Sequence, residues 1–341
     1  MKVLITTTIN VPTVLKGWSI GLDEEDHIIV IGDQKTPHQD VINVLRDITG
    51  TDGINTRYMA PDQQTHWSIS DVLGWNTIQR RNIGLLEALK LRPDHIITID
   101  DDNEPMTDDQ ITRMINVMET PGDTDIVTGV EWYNPGSACT PNVTHRGFPL
   151  SQRHADIDPD YAQRFDVDIA VGAMLWVGDP DIDAIERMVL NPTVNDVEFD
   201  TITPPGVWAP FNSQATVYRY DVAPLMFMFP GIGRYDDIWA SYLARRVMDH
   251  FNLSVYYGNP AVRQTRNEHD VIVDLSHEMF GMTFTDEFVA ALKEVDLNGC
   301  ATIIQALDRC FAAIHKLDFM PTQTRASLGL WVADLMRANV V

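Results

Sequence analysis

Cysteines and long hydrophobic runs are scarce in this sequence. The 341 residues include three cysteines, an odd number without a Cys-x-x-Cys spacing, which argues against a disulfide framework and against a zinc site. No apolar run approaches the roughly 20 residues of a transmembrane helix. Residues 3–8 form a strand pattern that is too short for the hydrophobic region of a signal peptide. We therefore expect a cytoplasmic protein without a membrane partner.

Positive charge is also scarce. The sequence has 25 Lys and Arg against 49 Asp and Glu, which gives a formal net charge of −24. Such a chain repels polyanions at long range, and no block of basic residues offers a local groove for nucleic acid. Duplex DNA is therefore disfavoured as a partner. The chain is nevertheless long and apolar enough to bury a large core.

The first half of the sequence alternates strand and helix patterns. Strands are expected at residues 3–8, 27–31, 96–99 and 125–130, and helices at 37–47, 76–90 and 107–118. This alternation predicts an α/β fold with a mainly parallel sheet and helices on its faces.

The second half predicts a different organisation. Residues 131–233 are rich in Pro, Gly and aromatic residues and predict irregular strands and loops. Further helices are expected at residues 236–251, 288–295, 303–317 and 327–336. We therefore expect one α/β domain over residues 1–275 and a helical C-terminal extension over residues 276–341 that packs on it.

Three consecutive aspartates follow one of the predicted strands. Asp100, Asp101 and Asp102 come directly after the apolar segment 95–99 (HIITI). Ligands of open α/β sheets bind at that edge, and clustered carboxylates are costly unless a positive charge neutralises them. A hard divalent cation shared with substrate phosphates is the simplest such charge. The triplet therefore indicates a metal–diphosphate site, and a solvated acidic turn that caps the next helix is the alternative.

A second acidic pair follows a glycine-rich segment. In residues 231–239 (GIGRYDDIW), the glycines permit a tight turn close to a ligand. Asp236 and Asp237 then begin a helix, where the helix dipole favours negative charge. Such a pair is commonly only a cap. The neighbouring Arg234 and Trp239 favour a site, and we expect Trp239 to contact a sugar beside the carboxylates.

Three segments together resemble one protein family. Residues 96–102 (IITIDDD), 146–153 (RGFPLSQR) and 232–239 (IGRYDDIW) resemble, in order, the signature segments of the reversibly glycosylated polypeptides, also known as UDP-arabinopyranose mutases. The resemblance covers most of the chain. It implies a GT-A type glycosyltransferase fold, with the nucleotide-sugar-binding catalytic domain over residues 1–275. It also implies a UDP-sugar-type donor and Mn²⁺ or Mg²⁺ as cofactor.

The resemblance implies a set of donor-side residues. Asp100 and Asp102 would bind the metal, which acts as a Lewis acid on the departing nucleotide diphosphate. Arg80 or Arg81 would reach the diphosphate, because a guanidinium group can bind it bidentately. The residues implied in nucleotide-sugar binding are Thr7, Asn10, Asp33, Arg80, Arg81, Asp100 and Asp101.

The resemblance also implies catalytic residues on the sugar side. Arg146 and Arg153 match the two arginines of a segment that is linked in the family to activity and self-glycosylation. Asp236 and Asp237 match a late acidic pair that would face the sugar, either to activate an acceptor or to stabilise an oxocarbenium-like centre.

The chain departs from the family where a third metal ligand is expected. After residues 258–260 (GNP) the family has the pattern Tyr-Ile-Tyr-His, whereas this chain ends the corresponding segment with Gln264. A histidine there would be the natural ligand, and His269 is the nearest candidate to replace it, although a lone histidine is more often a surface or core residue. Residues 156–211, which would shape the acceptor or sugar pocket, also match the family poorly.

Four hypotheses compete for the function. We favour a metal-dependent glycosyltransferase whose acceptor is a protein, a glycan or a modified nucleobase. The first alternative is a UDP-sugar pyranose/furanose mutase with self-glycosylation. The second alternative is a non-catalytic scaffold that binds sugar nucleotides. A metal-dependent phosphohydrolase would explain the aspartate triplet but not the other two segments. The family tends to associate, which allows for a homo-oligomer.

Overall fold

The computed structural model describes residues 1–155, 158–163, 167–265 and 270–340. The strands of this part of the chain are β1 (Lys2–Thr8), β2 (His27–Gly32), β3 (Asn55–Met59), β4 (His95–Ile99), β5 (Asn103–Pro105), β6 (Asp125–Thr128), β7 (Cys139–Thr140), β8 (Asp160–Ala162), β9 (Ile169–Gly178), β10 (Asp196–Val197), β11 (Thr201–Thr203), β12 (Ala215–Arg219) and β13 (Ser254–Gln264). Its helices are α1 (Leu15–Ser19), α2 (His38–Asp52), α3 (Ser70–Leu73), α4 (Arg81–Leu91), α5 (Gln110–Glu119), α6 (Ala184–Val189), α7 (Asp236–His250), α8 (Val271–Lys293), α9 (Ile303–Ile314) and α10 (Thr322–Arg337).

One large mixed sheet organises the molecule. Its strand order is β3-β2-β1-β4-β12-β9-β13-β11-β6-β8, and β5 pairs with β13 beside this path. The strands β3, β2, β1 and β4 are parallel, so their carboxyl ends share one edge. β12 runs antiparallel to β4, and its first residue, Ala215, lies opposite Ile99, the last residue of β4. The residues before β12 therefore reach the edge at which β4 ends.

Both faces of the sheet are covered. Along β1, Val3 and Ile5 belong to one buried hydrophobic cluster and Leu4 belongs to the other. The first cluster contains apolar side chains of α4 and α7 to α10, and the second contains those of α1, α2 and α5. Strands buried on both faces are typical of α/β folds. The predicted α/β fold class is confirmed.

The predicted elements match the structure best where the hydrophobic period is strong. α5 and α7 lie where they were expected. The helix expected from residue 76 begins instead at Arg81, because Asn76 has a left-handed backbone (φ 56°) and Thr77 is extended. The segment 131–233 is more regular than predicted, since it contains the ten-residue strand β9 and the strand β12.

The C-terminal helices pack on the sheet, and the first of them begins earlier than the helix predicted at residues 288–295. α8 begins at Val271, where the side chain of Asp270 accepts hydrogen bonds from the Ile272 and Val273 backbone. Phe288 of α8 and Trp331 of α10 belong to the same hydrophobic cluster as the sheet. The division of the chain at residue 275 stays a prediction. Among the described helices, none combines the length and the apolar character that a membrane span requires.

Candidate functional site

A cleft of about 810 Å³ lies at the edge where β4 ends and β12 begins. Its walls include residues from all three segments singled out in the sequence, among them Asp102, Arg146 and Asp237. A second cavity of about 200 Å³ shares its residues Ile9 and Thr77 with the cleft, so the two adjoin. Parallel sheets bind ligands at this edge.

The three aspartates after β4 have different surroundings. Asp100 is one-third exposed and forms a 2.6 Å ion pair with Arg81. Asp101 accepts a hydrogen bond from the Thr8 hydroxyl and lines the smaller cavity. Burial raises the pKa of Asp101, and the hydrogen bond from Thr8 opposes this shift. Asp100 and Asp102 line the large cleft. The triplet therefore presents two carboxylates to the cleft and directs the third into the adjoining cavity.

Arg81 fixes the position of Asp100. Its Nη1 donates to the Ser213 carbonyl and hydroxyl oxygens, both at 2.7 Å, and its Nη2 donates to the Ile99 carbonyl at 3.0 Å. The guanidinium group thus joins the end of β4 to the residues before β12. Arg81 therefore connects Asp100 and the end of β4 to Ser213. Its predicted contact with a diphosphate stays a prediction.

Arg80 has a different environment. Its Nη1 donates to the Ser70 hydroxyl at 2.6 Å, its Nε donates to the Gly74 carbonyl at 2.7 Å, and its guanidinium carbon lies 3.4 Å from the ring centre of Trp75. Burial lowers the pKa of Arg80 to about 10. Arg80 lines the smaller cavity. These contacts order the loop that carries Thr77 to the cleft.

Arg146 is buried between two carboxylates. It donates to Asp181 bidentately, from Nε at 2.8 Å and from Nη2 at 3.0 Å. Its Nη1 donates to Asp237 at 3.2 Å and to the Arg234 carbonyl oxygen. Burial lowers the pKa of Arg146, but the charges of Asp181 and Asp237 outweigh burial and raise the pKa. The guanidinium group is therefore a fixed positive charge in the wall of the cleft.

Asp236 and Asp237 begin α7 and differ in their partners. Asp237 accepts hydrogen bonds from the Ser213 backbone at 3.0 Å and from Arg146. Asp236 accepts from the Asp237 backbone at 2.9 Å and from the Gln79 amide. Burial and the neighbouring charge of Asp237 raise the pKa of Asp236 to about 7. The pair thus combines a carboxylate in an ion pair with a carboxyl group whose pKa is raised above the ordinary aspartate value.

The family comparison agrees with this arrangement. The family model described as "Reversibly glycosylated polypeptide" matches residues 1–318. The chain belongs to this family. The resemblance expected from the three sequence segments is confirmed.

Curated relatives of this chain match over part of their length. UDP-arabinopyranose mutase 2 of Arabidopsis thaliana is 27% identical over 180 residues, which are 50% of this chain and 46% of that protein. UDP-arabinopyranose mutase 1 of Oryza sativa subsp. japonica is 26% identical over 54% of this chain and 47% of its own. The chain spans about half the length of the curated relatives that it matches.

Solved structures are also similar to this chain. A mannosyltransferase from Pyrobaculum calidifontis in complex with GDP-Man and Mn²⁺ has a TM-score of 0.43 and 10% identity, with 99% of this chain and 86% of that chain covered. Glucosyl-3-phosphoglycerate synthase from Mycobacterium tuberculosis, in complex with Mn²⁺ and UDP-glucose, has a TM-score of 0.44 and 10% identity, with 84% and 78% covered.

Trp239 does not reach the cleft. Its side chain is fully buried and stacks on Phe288 with 4.1 Å between ring centres. Its indole N–H donates to the Thr285 hydroxyl at 3.0 Å. The prediction that Trp239 contacts the sugar is therefore wrong. The physical reason is that α8 packs against this side of α7, so that the aromatic ring is part of the core.

Arg153 also lies apart from the large cleft. It donates to Asp183 and to the Phe148 carbonyl. It lines another cavity, of about 350 Å³, together with Tyr133 and Tyr161. The structure thus separates the two arginines of the segment 146–153, and it brings Arg146 but not Arg153 to the acidic pair.

The predicted nucleotide residues lie around the smaller cavity. Asp33 is buried there and accepts hydrogen bonds from the Gln34 backbone at 2.7 Å and the Thr77 backbone at 3.1 Å. The Thr7 hydroxyl has no hydrogen-bond partner among the described residues. Asn10 is exposed just beyond β1, and its backbone N–H donates to the Thr8 hydroxyl. Their contacts with a nucleotide stay predictions.

Several residues of the site were not found from the sequence. Asp181 pairs with Arg146, and the Asn212 amide donates to Asp181 at 2.6 Å. Ser213 contacts both Arg81 and Asp237. Asp181 follows β9 in a stretch without a local signal. Ser213 could have been found from the strand register, since it precedes a strand that is antiparallel to β4.

The donor atoms of the cleft fit a hard divalent cation. Among the described residues, no group of three His, Cys, Asp or Glu has an arrangement that could hold a metal. Asp100 and Asp102 nevertheless supply two carboxylates, and Gln264, whose buried side-chain oxygen accepts no hydrogen bond from a described residue, lines the same cleft. Oxygen ligands suit Mg²⁺ and Mn²⁺. His269 lies outside the described residues, so its predicted role as a ligand stays a prediction.

Proposed function

We propose that this chain is a metal-dependent glycosyltransferase that uses a UDP-sugar-type donor. One observation carries the proposal. A single cleft has Asp100 and Asp102 on one wall and the buried pair Asp236 and Asp237 on another. The first pair suits a diphosphate bound with a cation, and the second suits proton transfer and charge stabilisation at a sugar.

The donor fits across the two adjoining cavities. A nucleoside would occupy the smaller cavity, where Asp33 and the Thr7 hydroxyl offer polar atoms. Its diphosphate would extend into the large cleft beside Asp100 and Asp102. Bound Mn²⁺ or Mg²⁺ would neutralise the diphosphate and make it a better leaving group. Arg81 holds Asp100 in place for this contact.

The sugar would face the start of α7. With its pKa of about 7, Asp236 can accept a proton from an acceptor hydroxyl or return one. Gln79 and the Asp237 backbone fix the orientation of this carboxyl group. Asp237, held by Ser213 and Arg146, places a fixed negative charge where an oxocarbenium-like centre would develop.

A UDP-sugar mutase is the second candidate, because the relatives described above carry that name. In this reaction the sugar returns to the diphosphate in another ring form without an external acceptor. The geometry weighs against Arg146 as the transient acceptor, because its nitrogens already donate to Asp181, Asp237 and Arg234. A charged guanidinium group is also a weak nucleophile.

The deciding experiment is incubation of the pure protein with Mn²⁺ and a panel of nucleotide-sugars without acceptor. Chromatography would follow the nucleotides, and intact-mass spectrometry would follow the protein. Donor binding with only slow hydrolysis supports the transferase. A ring isomer of the donor, or a sugar adduct on the protein, identifies the mutase. Donor binding without turnover under any condition supports the scaffold hypothesis, and no binding at all contradicts the proposal.

The matched control variant is Asp237→Asn. It removes the negative charge beside the sugar and changes no residue that lines the smaller cavity. We expect UDP affinity in calorimetry to stay unchanged while turnover falls by about 100-fold or more, as for other groups that stabilise a transition state. Full activity of Asp237→Asn would show that the acidic pair only caps α7.

A further inference from the structure

Gln264 lines the large cleft, and its side-chain oxygen atom is buried. It is the last residue of β13, and its side chain is 7% exposed. The side-chain oxygen Oε1 accepts no hydrogen bond from any described residue, although the residue lines the cleft together with Asp100 and Asp102. A buried carbonyl oxygen without a donor is unfavourable unless another partner, such as a cation, occupies its lone pairs.

The backbone holds Gln264 firmly beside the aspartates. In the antiparallel pairing of β13 with β5, Gln264 lies opposite Asn103, the residue that follows Asp102. Its carbonyl oxygen accepts a hydrogen bond from the Asp179 backbone at 3.0 Å. Gly178 approaches so closely that a Cβ atom there would lie 2.3 Å from this carbonyl oxygen. The backbone that carries the Gln264 side chain is therefore held in a fixed position next to the aspartate triplet.

We propose that Gln264 Oε1 is the third protein ligand of the divalent cation, together with carboxylate oxygens of Asp100 and Asp102. It rests on the proposed function in one respect, which is that a cation binds in the cleft. The resulting ligand set contains oxygen alone. Oxygen ligands suit Mg²⁺ and Mn²⁺, whereas an imidazole nitrogen at this position would raise the affinity for Co²⁺ and Ni²⁺ relative to Mg²⁺.

One structural alternative has to be separated from this proposal. The side-chain nitrogen Nδ2 of Asn103 is also buried and has no acceptor among the described residues, whereas its Oδ1 accepts from Gln214 at 3.1 Å. A small side-chain rotation could pair Asn103 Nδ2 with Gln264 Oε1. In that case Gln264 would stabilise the fold and would not bind the cation.

The experiment compares the wild-type chain with Gln264→Leu and Gln264→His. Mn²⁺ affinity is measured by electron paramagnetic resonance in the presence of UDP, and electron spin-echo modulation detects nitrogen ligands. We expect Gln264→Leu to bind Mn²⁺ about tenfold more weakly or worse, since even loss of an outer-shell partner has an effect of that size. We expect Gln264→His to keep Mn²⁺, to show a new imidazole nitrogen coupling, and to bind Co²⁺ and Ni²⁺ more tightly relative to Mg²⁺.

Other outcomes overturn the proposal in distinguishable ways. If Gln264→Leu keeps its Mn²⁺ affinity and only its melting temperature falls, Gln264 pairs with Asn103 and does not bind the cation. An imidazole coupling already present in the wild-type chain would assign the ligand to a histidine, and its loss in His269→Ala would name that histidine. Failure of the wild-type chain to bind Mn²⁺ with UDP would overturn both the ligand and the proposed function.

Discussion

Asp236 and Asp237 are adjacent residues with opposite electrostatic surroundings. Asp237 has a cationic partner in Arg146, whereas Asp236 has the Gln79 amide and the negative charge of its neighbour. The difference arises from the first turn of α7, which points the two side chains to different walls of the cleft. A single helix start thereby supplies two carboxyl groups with different hydrogen-bond partners.

The raised pKa of Asp236 makes the stability of the protein depend on pH. The folded pKa of about 7 lies above the unfolded value of 3.8, so the folded state holds a proton more tightly. This contribution to stability is present below about pH 4 and is lost as the pH rises through 7. Asp236→Asn should therefore flatten the decline in melting temperature between about pH 4 and pH 7. A wild-type melting temperature that stays constant over this range would contradict the assignment.

The aspartate triplet allows a matched pair of variants. Asp102 lines the large cleft, whereas Asp101 accepts from Thr8 and lines the smaller cavity. We expect Asp102→Asn to abolish the increase in UDP affinity that Mn²⁺ produces. Asp101→Asn should preserve most of that increase, because it changes a carboxyl group outside the large cleft. Calorimetric titration of UDP with and without Mn²⁺ measures both effects, and equal losses would mean that the triplet acts as one unit.

At the scale of elements, the loop between α3 and α4 depends on Arg80. The guanidinium group satisfies the Gly74 carbonyl and the Ser70 hydroxyl and carbonyl oxygens and stacks on Trp75. Because this loop carries Thr77 and Gln79 to the cleft, its order is a condition for the geometry of the site.

Arg80→Ala should therefore destabilise the protein and weaken nucleotide binding together. Removal of a buried charged donor leaves several acceptors without partners, and we expect a loss of about 2–4 kcal/mol in the free energy of unfolding. Arg113→Ala is the control, because its ion pair with Asp109 is exposed and should contribute little to stability. Urea denaturation compares the two variants. Equal stabilities would show that Arg80 does not order the loop.

The elements and the site differ in how far the sequence predicts them. The apolar period of α5 and the strand before Asp100 are local patterns, and both are found in the structure. β9 is buried along nearly its whole length, so it has no polar alternation that would mark it as a strand. Asp181 is part of the site only because the turn after β9 brings it to Arg146, and no local pattern encodes that contact.

At the scale of the whole molecule, the C-terminal helices complete one face of the sheet. Phe227, which precedes α7, lies 5.2 Å from Trp331 of α10 between ring centres, and Phe229 lies 5.9 Å from Phe288 of α8. The hydrophobic cluster is continuous across the predicted boundary at residue 275.

A chain truncated after residue 275 should therefore fail to fold stably. Removal of the helices would expose the apolar surface of α4 and α7, which the chain buries in its full form. We expect the truncated chain to aggregate or to lose its cooperative thermal transition in circular dichroism. The full chain is the reference. A soluble truncated chain with a sharp transition would instead support an independent domain over residues 1–275.

The antiparallel entry of β12 has an evolutionary consequence. Because β12 begins where β4 ends, the segment before it arrives at the cleft from outside the parallel half of the sheet. Ser213, in that segment, contacts both Arg81 and Asp237, so a substitution there changes the surroundings of Asp100 and of the acidic pair at once. During divergence the segment before β12 is therefore constrained from both sides of the cleft.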